Sequence, residues 1–214
     1  MRLPDFICVG AQKCGTSSLY HTLKQHSQVE LPDVKELHFF EKNASFEKGL
    51  AYYSSFFEGI DASKCTGDIT PGYICFEKAA YRILDALGKN IKIIILLRNP
   101  VDRTYSQYNM YKLMGIENLP FERAIKEDQG RVQPVAPGKE NRYYGYITRS
   151  QYTHQVSRFY DLFGKNNTYV GIFEEIFTSD VFEGLTDIQH FLGLRRENLL
   201  KSDSNKAKLN RLPE

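Results

Sequence analysis

The sequence predicts an α/β protein with three layers, in which a central parallel sheet lies between helices on both of its faces. Strand and helix signals alternate along the chain, and the chain opens with a short strand, a loop and a helix. Ile91 to Leu97 is a nearly unbroken aliphatic run. Such a run is typical of a central strand that is covered on both faces, as in parallel sheets. We expect a single domain over residues 1–214.

Hydrophobic periodicity predicts the elements in order. In the first half we expect a strand at about 6–9, a helix at 15–26, a strand at 64–69, a helix at 76–87 ended by Gly88, and a strand at 91–97. Asn99-Pro100 then starts a helix that continues to about Met114, because proline at the first helical position loses no hydrogen bond. After it we expect a polar surface loop at 129–141, a helix at 152–163 ended by Gly164, a strand at 168–173, and a last helix that runs from a cap at Asp180 and Glu183 to Leu192.

The composition is that of an ordinary globular protein. Of 214 residues, 42% are hydrophobic and 25% charged, which is enough to bury one core. The net charge of +2 is the small difference between 28 basic and 26 acidic residues. Because so small a charge creates no broad electrostatic field, nucleic acid and anionic membranes are not expected partners. Any anion site must be local.

The expected location is the cytoplasm. The first strand begins close to Met1, and no apolar run approaches the roughly 20 residues that a membrane span needs. The cysteines show neither C-x-x-C pairs nor metal-ligand spacing, which favours reduced thiols. They are Cys8, Cys14, Cys65 and Cys75.

The loop after the first strand predicts a phosphate site. Gly10 and Gly15 have the glycine spacing of the kinase motif G-x-x-x-x-G-K-[ST], but Thr16 occupies the position of the motif's lysine. The loop's lysine, Lys13, lies three positions earlier. Backbone amides at residues 15–18 and the dipole of the following helix can still bind a phosphate. We expect Lys13 to contact a different part of the ligand.

A second anion site is predicted where the aliphatic strand ends in Arg98. At the corresponding strand end, a Mg-dependent P-loop enzyme often presents an aspartate to the metal. A guanidinium instead suits a phosphate, which it binds in bidentate fashion, and Ser106 follows about two helical turns into the next helix. Together the two loops predict a receptor for a nucleotide that is phosphorylated at two separate places.

Four segments carry a resemblance to a known family. They are GAQKCGTSSLY at 10–20, KELHFF at 35–40, TPGY at 70–73 and LRNPVDRTYSQY at 97–108, supported by FLGL at 191–194. With them the chain resembles sulfotransferases that use 3′-phosphoadenosine-5′-phosphosulfate (PAPS), most of all the heparan sulfate sulfotransferases and their bacterial relatives. The resemblance spans nearly the whole chain and implies the P-loop-like sulfotransferase fold.

The resemblance implies that PAPS donates a sulfuryl group to an acceptor hydroxyl or amine, leaving adenosine 3′,5′-bisphosphate (PAP), without a metal. Lys13 matches the family lysine that contacts the 5′-phosphosulfate and stabilises the leaving group. Arg98 and Ser106 match the 3′-phosphate ligands. The 5′ side also includes Cys14, Gly15, Thr16, Ser17 and Ser18, whose hydroxyls are expected to cap the helix as well.

The end of the chain departs from the family pattern. Relatives have a basic, glycine-containing loop that closes over the nucleotide, whereas the candidate loop here, 206–213, has no glycine. Lys208 and Asn210 are its expected donor contacts. Family chains usually continue beyond this loop, so we expect either a minimal acceptor side or a missing final helix.

The KELHFF segment resembles the place where glycan sulfotransferases carry their catalytic carboxylate. We expect Glu36 to be the base, since burial beside aromatic rings raises the pKa of a carboxyl while Lys35 and Lys13 lower it. A salt-bridged acid that closes the loop is the alternative for Glu36. His38 is the rival base, although a histidine between apolar residues is more often structural.

Other polar residues leave two interpretations open. Asp68, Thr70 and Tyr73 are expected to border the cleft or to form an ordinary turn. The tyrosines at 143, 144 and 146 suit stacking on a sugar or adenine, or core packing. Arg103 is expected to face solvent or an acid, and Glu174 and Glu175 to cap the next segment.

Three hypotheses follow. The first is a sulfotransferase that acts on a small-molecule or glycan acceptor. The second is a P-loop kinase or nucleoside triphosphatase, which needs a metal-binding acid and a motif lysine where Arg98 and Thr16 occur. The third is a nucleotide-binding module without catalysis. Neither the acceptor nor the oligomeric state can be read from the sequence.

Overall fold

A computed structural model describes residues 1–131, 144–178 and 183–200. Its strands are β1 (Phe6–Gly10), β2 (Gly67–Ile69), β3 (Lys92–Leu97) and β4 (Thr168–Ile172). They form one sheet in the order β2-β1-β3-β4, and every neighbouring pair is parallel. The predicted central parallel sheet is confirmed.

Helices connect and follow these strands. They are α1 (Thr16–Leu23), α2 (Asn43–Phe46), α3 (Gly49–Ser55), α4 (Glu77–Leu87), α5 (Pro100–Leu113), α6 (Phe121–Lys126), α7 (Asp128–Arg131), α8 (Tyr152–Phe163) and α9 (Glu183–Leu192). Short 3₁₀ turns lie at Tyr73–Cys75, Thr148–Ser150 and Lys165–Asn167, and a π-helical turn at Glu174–Thr178.

The sheet forms the centre of the core because its strands are apolar on both faces. Residues 6–9 of β1 and 93–96 of β3 are fully buried. α8 packs against α4, β3 and β4. Connections between parallel strands are right-handed, and β2 lies on one side of β1 while β3 lies on the other. The connection that contains α1 therefore lies on the face of the sheet opposite α4 and α8. On that face the end of α1 meets the segment after α9, where the His26 ring lies 2.8 Å from the Arg195 carbonyl.

Several boundaries differ from the prediction. The helices α2, α3, α6 and α7 were not expected, because segments of four to seven residues are too short to show a helical period. α7 also takes the first residues of the expected loop at 129–141; residues 132–141 lie outside the described ranges. α1 ends at Leu23 rather than His26, because Gln25 and His26 bond to carbonyls three residues back.

A second, smaller core forms between α5 and the segments that follow it. Its buried residues are Tyr108, Tyr111, Ala124 and Tyr146. The hydroxyl of Tyr146 donates to Glu117 over 2.8 Å, and the Arg131 guanidinium lies 3.8 Å from the centre of the Tyr144 ring. For Tyr144 and Tyr146, core packing is therefore the correct alternative, while Tyr143 lies outside the described residues.

The expectation that Arg103 faces solvent or an acid is wrong. Its side chain is fully buried where α5 meets the second core. The guanidinium donates to Ser150 Oγ over 2.6 Å, to Gln107 Oε1 over 2.7 Å and to the Tyr146 carbonyl over 2.7 Å. These neutral acceptors satisfy the buried charge, which is costly to bury without partners.

No helix in the described part of the chain combines the length and the apolar character that a membrane crossing requires.

All four cysteines are free thiols.

Candidate functional site

The predicted phosphate loop joins β1 to α1. The Ala11 amide donates to the Leu96 carbonyl over 2.7 Å, which ties the start of the loop to β3. The loop then turns sharply, since the Cys14 amide donates to the Ala11 carbonyl over 3.2 Å. Lys13 lies at the turn with a left-handed φ of 71°, which is uncommon outside glycine. Its side chain is half-buried.

The loop ends at the amino terminus of α1. Gly15 is the N-cap, and no side chain caps the helix, so the expected capping by the threonine and serine hydroxyls is wrong. Thr16 and Ser18 are buried and Ser17 is half-buried. The first-turn amides of a helix have no intrahelical acceptors, and the helix dipole adds partial positive charge there. This end of α1 suits an anion.

Gly15 is required at its position for two reasons. Its φ of 88° is strained for a residue with a side chain. A Cβ at this position would lie 2.7 Å from Phe173 Cδ2 and 2.8 Å from Phe177 Cε2. The aromatic residues that follow β4 therefore pack directly on the backbone of the phosphate loop.

Arg98 lies beside this loop at the carboxyl end of β3. Its NH1 donates to the Lys13 carbonyl over 3.4 Å, and its guanidinium lies 4.8 Å from the centre of the Phe173 ring. Its Nε is buried and has no hydrogen-bond partner among the described residues. An unused donor on a fixed guanidinium beside a helix amino terminus fits a phosphate oxygen.

Contacts that the sequence did not predict hold the backbone around Arg98. The Tyr152 hydroxyl donates to the Arg98 carbonyl over 3.0 Å, and the Asn99 amide donates to the Glu174 carboxylate over 3.0 Å. Glu174 was expected to cap the next segment, but this bond joins it to Asn99, which follows the end of β3. The Asn99 side chain caps α5 by accepting the Val101 amide, as an Asn-Pro helix start requires.

The remaining predicted donor residues have different surroundings. Ser106 is half-buried in the second turn of α5. The Cys14 thiol is buried, lies 3.8 Å from the Tyr152 hydroxyl, and has its pKa raised to about 11 by burial. The Cys14 amide is already bonded within the loop, and its contact with the donor remains a prediction. Lys208 and Asn210 lie outside the described residues.

The predicted base lies in a segment with unusual backbone geometry. Glu36 has φ 64° and His38 has φ 53°, so two left-handed residues flank Leu37. The Glu36 carboxylate is in contact with the Lys35 ammonium and lies 3.7 Å from His38 Nε2. Non-glycine residues in this region cost free energy and concentrate at functional sites.

Glu41 is a site residue that the sequence analysis missed. Its carboxylate is buried and contacts His38 Nδ1. Since a carboxylate only accepts hydrogen bonds, the ring's proton is assigned to Nδ1, which leaves Nε2 facing Glu36. The three residues form a chain, Glu41–His38–Glu36, whose outer end is half exposed. The sequence signal that could have identified Glu41 is its position three residues after His38.

The 35–41 segment lies beside β1. The Phe39 amide donates to the Tyr73 hydroxyl over 3.0 Å, and the Thr70 amide donates to the Cys8 carbonyl over 3.0 Å. Burial raises the pKa of the Cys8 thiol to about 12. Asp68, Thr70 and Tyr73 are themselves buried and do not border an open cleft. Burial raises the pKa of Asp68 to about 6. The structure thus brings the acidic segment and the phosphate loop to the same edge of the sheet.

In the described part of the chain, no group of three His, Cys, Asp or Glu side chains is arranged to hold a metal ion. Transfer without a metal remains a prediction.

The loop geometry predicts an unequal response to two glycine substitutions. Gly15→Ala should lower the free energy of unfolding by about 2–4 kcal/mol, because it adds strain at positive φ and overpacks against Phe173. Gly49→Ala is the matched control, since Gly49 has φ 80° and nothing within 4 Å of its would-be Cβ. It should cost only about 1 kcal/mol. Urea unfolding of both variants measures the difference, and equal costs would contradict the close approach at Gly15.

Comparison with known proteins shows the family and the fold. The family model described as "Sulfotransferase domain" matches residues 3–211. A solved sulfotransferase from Alicyclobacillus acidocaldarius superposes with a TM-score of 0.80 and 28% identity, covering 98% of this chain and 90% of that one. A mouse sulfotransferase solved in complex with PAP shares the fold, with a TM-score of 0.60 at 19% identity, covering 99% of this chain and 65% of that one.

Curated relatives are similar over parts of their length. Heparan sulfate glucosamine 3-O-sulfotransferase 6 of Homo sapiens is 30% identical over 199 residues, which is 91% of this chain and 54% of the relative. The membrane-associated sulfotransferase kil1 of Dictyostelium discoideum is 38% identical over 148 residues, which is 64% of this chain and 31% of the relative. The chain thus spans about a third to half of these proteins. By its family match and its fold, the chain belongs to the sulfotransferase family.

Proposed function

We propose that this protein transfers a sulfuryl group from PAPS to an acceptor hydroxyl or amine. The observation that carries the proposal is the contact between Arg98 and the backbone of Lys13, which joins two predicted phosphate sites at the ends of β3 and β1. PAPS carries phosphate at two separate places, as such a pair of sites requires. The PAP bound to the mouse sulfotransferase supports the same class of ligand.

The donor would be held by residues from both loops. On the 5′ side, the α1 amino terminus offers amides and hydroxyls from Gly15 to Ser18. On the 3′ side, Arg98 offers its buried Nε, and Ser106 its hydroxyl. We propose Lys208 and Asn210 as further contacts from the end of the chain. When bound, PAPS supplies the sulfuryl group and PAP is its product.

Lys13 would stabilise the leaving group of the transfer. Negative charge grows on the bridging oxygen as the bond to sulfur breaks, and a fixed ammonium favours that charge over the ground state. The left-handed backbone at Lys13 and the bond from Arg98 to its carbonyl support this role, because both restrict where the side chain starts.

Glu36 would remove the proton from the acceptor. Its carboxylate is half exposed, whereas Glu41 is buried and His38 lies between the two. Glu41 contacts the ring through Nδ1, and Nε2 lies 3.7 Å from the Glu36 carboxylate. We therefore place Glu36 first and His38 second as base.

We propose a carbohydrate or small alcohol as the acceptor. The curated human relative is named for heparan sulfate glucosamine, which supports a glycan. The balanced charge of this chain, +2 overall, gives no broad basic surface for a long sulfated polymer. The cytoplasm remains the proposed location, although the name of the Dictyostelium relative places that protein at a membrane.

Donor binding is tested by thermal unfolding in the presence of a chelator. PAP at about 100 times its Kd should stabilise the native state by roughly 2.7 kcal/mol, which raises the Tm by about 5–10 °C. Adenosine 5′-monophosphate lacks the 3′-phosphate and should give a smaller shift. Arg98→Ala should reduce the PAP shift to that of the monophosphate. No shift with saturating PAP would count against the proposal.

Catalytic roles are tested with isotopically labelled PAPS and a panel of sugar and alcohol acceptors. Lys13→Ala should lower kcat by roughly 10²–10³, as expected when a fixed charge opposite a developing anion is lost. Glu36→Gln should lower kcat by roughly 10²–10⁴. Lys112→Ala, at the exposed end of α5, is the control and should leave kcat unchanged. An active Glu36→Gln together with an inactive His38→Asn would reverse the assignment of the base.

A further inference from the structure

A buried carboxylate at the end of β2 has no part in the proposed chemistry. Asp68 is 1% exposed and accepts three hydrogen bonds, all from neutral hydroxyls. Thr70 donates to its Oδ1 over 2.6 Å, and Tyr73 and Tyr53 donate to its Oδ2 over 2.8 Å and 3.1 Å. A carboxylate is costly to bury, so three donors directed at one carboxylate indicate a specific structural task.

One of these donors continues the network to the KELHFF segment. The Phe39 amide donates to the Tyr73 hydroxyl oxygen over 3.0 Å. The direction of both bonds is fixed, because an amide N–H can only donate and the tyrosine has a single proton to give to Asp68. The negative charge on Asp68 polarises the hydroxyl and makes its oxygen a better acceptor for the amide.

The Phe39 amide, which donates to Tyr73, follows directly after His38, whose backbone is strained. Glu36 and His38 both have left-handed φ values, and such a backbone persists only where its surroundings fix it. Beyond the Tyr73 bond, Arg82 NH1 donates to the Phe40 carbonyl over 2.9 Å. The Phe39 ring also stacks on the Tyr53 ring at 4.6 Å between centres.

We propose that Asp68 and Tyr73 are positioning residues, which act through the Phe39 amide to hold the backbone that carries Glu36 and His38. This inference rests on the proposed function, since it is the chemistry of Glu36 and His38 that the relay positions. It assigns a role to the buried end of the edge strand β2. Asp68→Asn should weaken the relay, because a neutral amide oxygen polarises the Tyr73 hydroxyl less than the charged carboxylate does.

Tyr53 provides a matched control for Tyr73. Both phenols donate to the same oxygen of Asp68 and both are fully buried, but of the two only the Tyr73 hydroxyl accepts the Phe39 amide. Tyr73→Phe and Tyr53→Phe each remove one hydroxyl and keep the ring. A role in stability alone predicts similar effects for the two substitutions, whereas the relay predicts different ones.

The first readout is hydrogen exchange at the Phe39 amide, measured by NMR. We expect Tyr73→Phe to speed this exchange by at least tenfold and Tyr53→Phe by less than threefold, since the amide loses its acceptor only in the first variant. Asp68→Asn should give a rate between those of the two tyrosine variants, since it keeps the acceptor hydroxyl and removes only the charge behind it. Equal exchange rates in the two tyrosine variants would overturn the proposal.

The second readout is kinetic. Tyr73→Phe should lower kcat roughly three- to tenfold while the Kd for PAP stays unchanged, and Tyr53→Phe should stay within twofold of the wild type in both. Equal losses of kcat in the two variants would also overturn the relay. The exchange experiment needs no donor or acceptor, so it tests the relay separately from the proposed function, which the transfer assay of the wild type tests.

Discussion

The candidate site depends on the parallel pairing of β1 with β3. In a parallel sheet both strands end at the same edge, so the loop after β1 and the turn after β3 must meet there. The bond from the Ala11 amide to the Leu96 carbonyl extends the pairing past the end of β1. The 3.4 Å contact of Arg98 with the Lys13 carbonyl then joins the two loops directly. The chain positions of Lys13 and Arg98 are thereby brought together on two adjacent loops.

Around this edge the backbone is held in conformations that most residues avoid. Lys13, Glu36 and His38 have positive φ values, each of which costs of order 1–3 kcal/mol. The cost is offset by buried contacts behind the site, such as those of Phe173 on the phosphate loop and of Tyr73 on the Phe39 amide. The free energy of folding is thus used to orient groups before a ligand binds, which is how an active site avoids reorganisation during the reaction.

The sequence was informative where the physical cause is local. The aliphatic run of β3, the glycines of the phosphate loop and the Asn-Pro start of α5 each specify their own conformation. It was uninformative where the cause is a contact between distant residues, as for Glu174 on the Asn99 amide. Arg103 was placed wrongly because the sequence of α5 does not reveal which face meets the second core. Glu41 could have been found from its spacing to the histidine, but its burial could not.

The most direct test of the shared nucleotide site is a crystal structure of the protein with PAP. We expect the 5′-phosphate to lie at the amino terminus of α1 beside Lys13, and the 3′-phosphate to contact Arg98 Nε and Ser106. A complex in which PAP binds elsewhere, or in which its 3′-phosphate lies away from Arg98, would contradict a nucleotide site shared by the two loops.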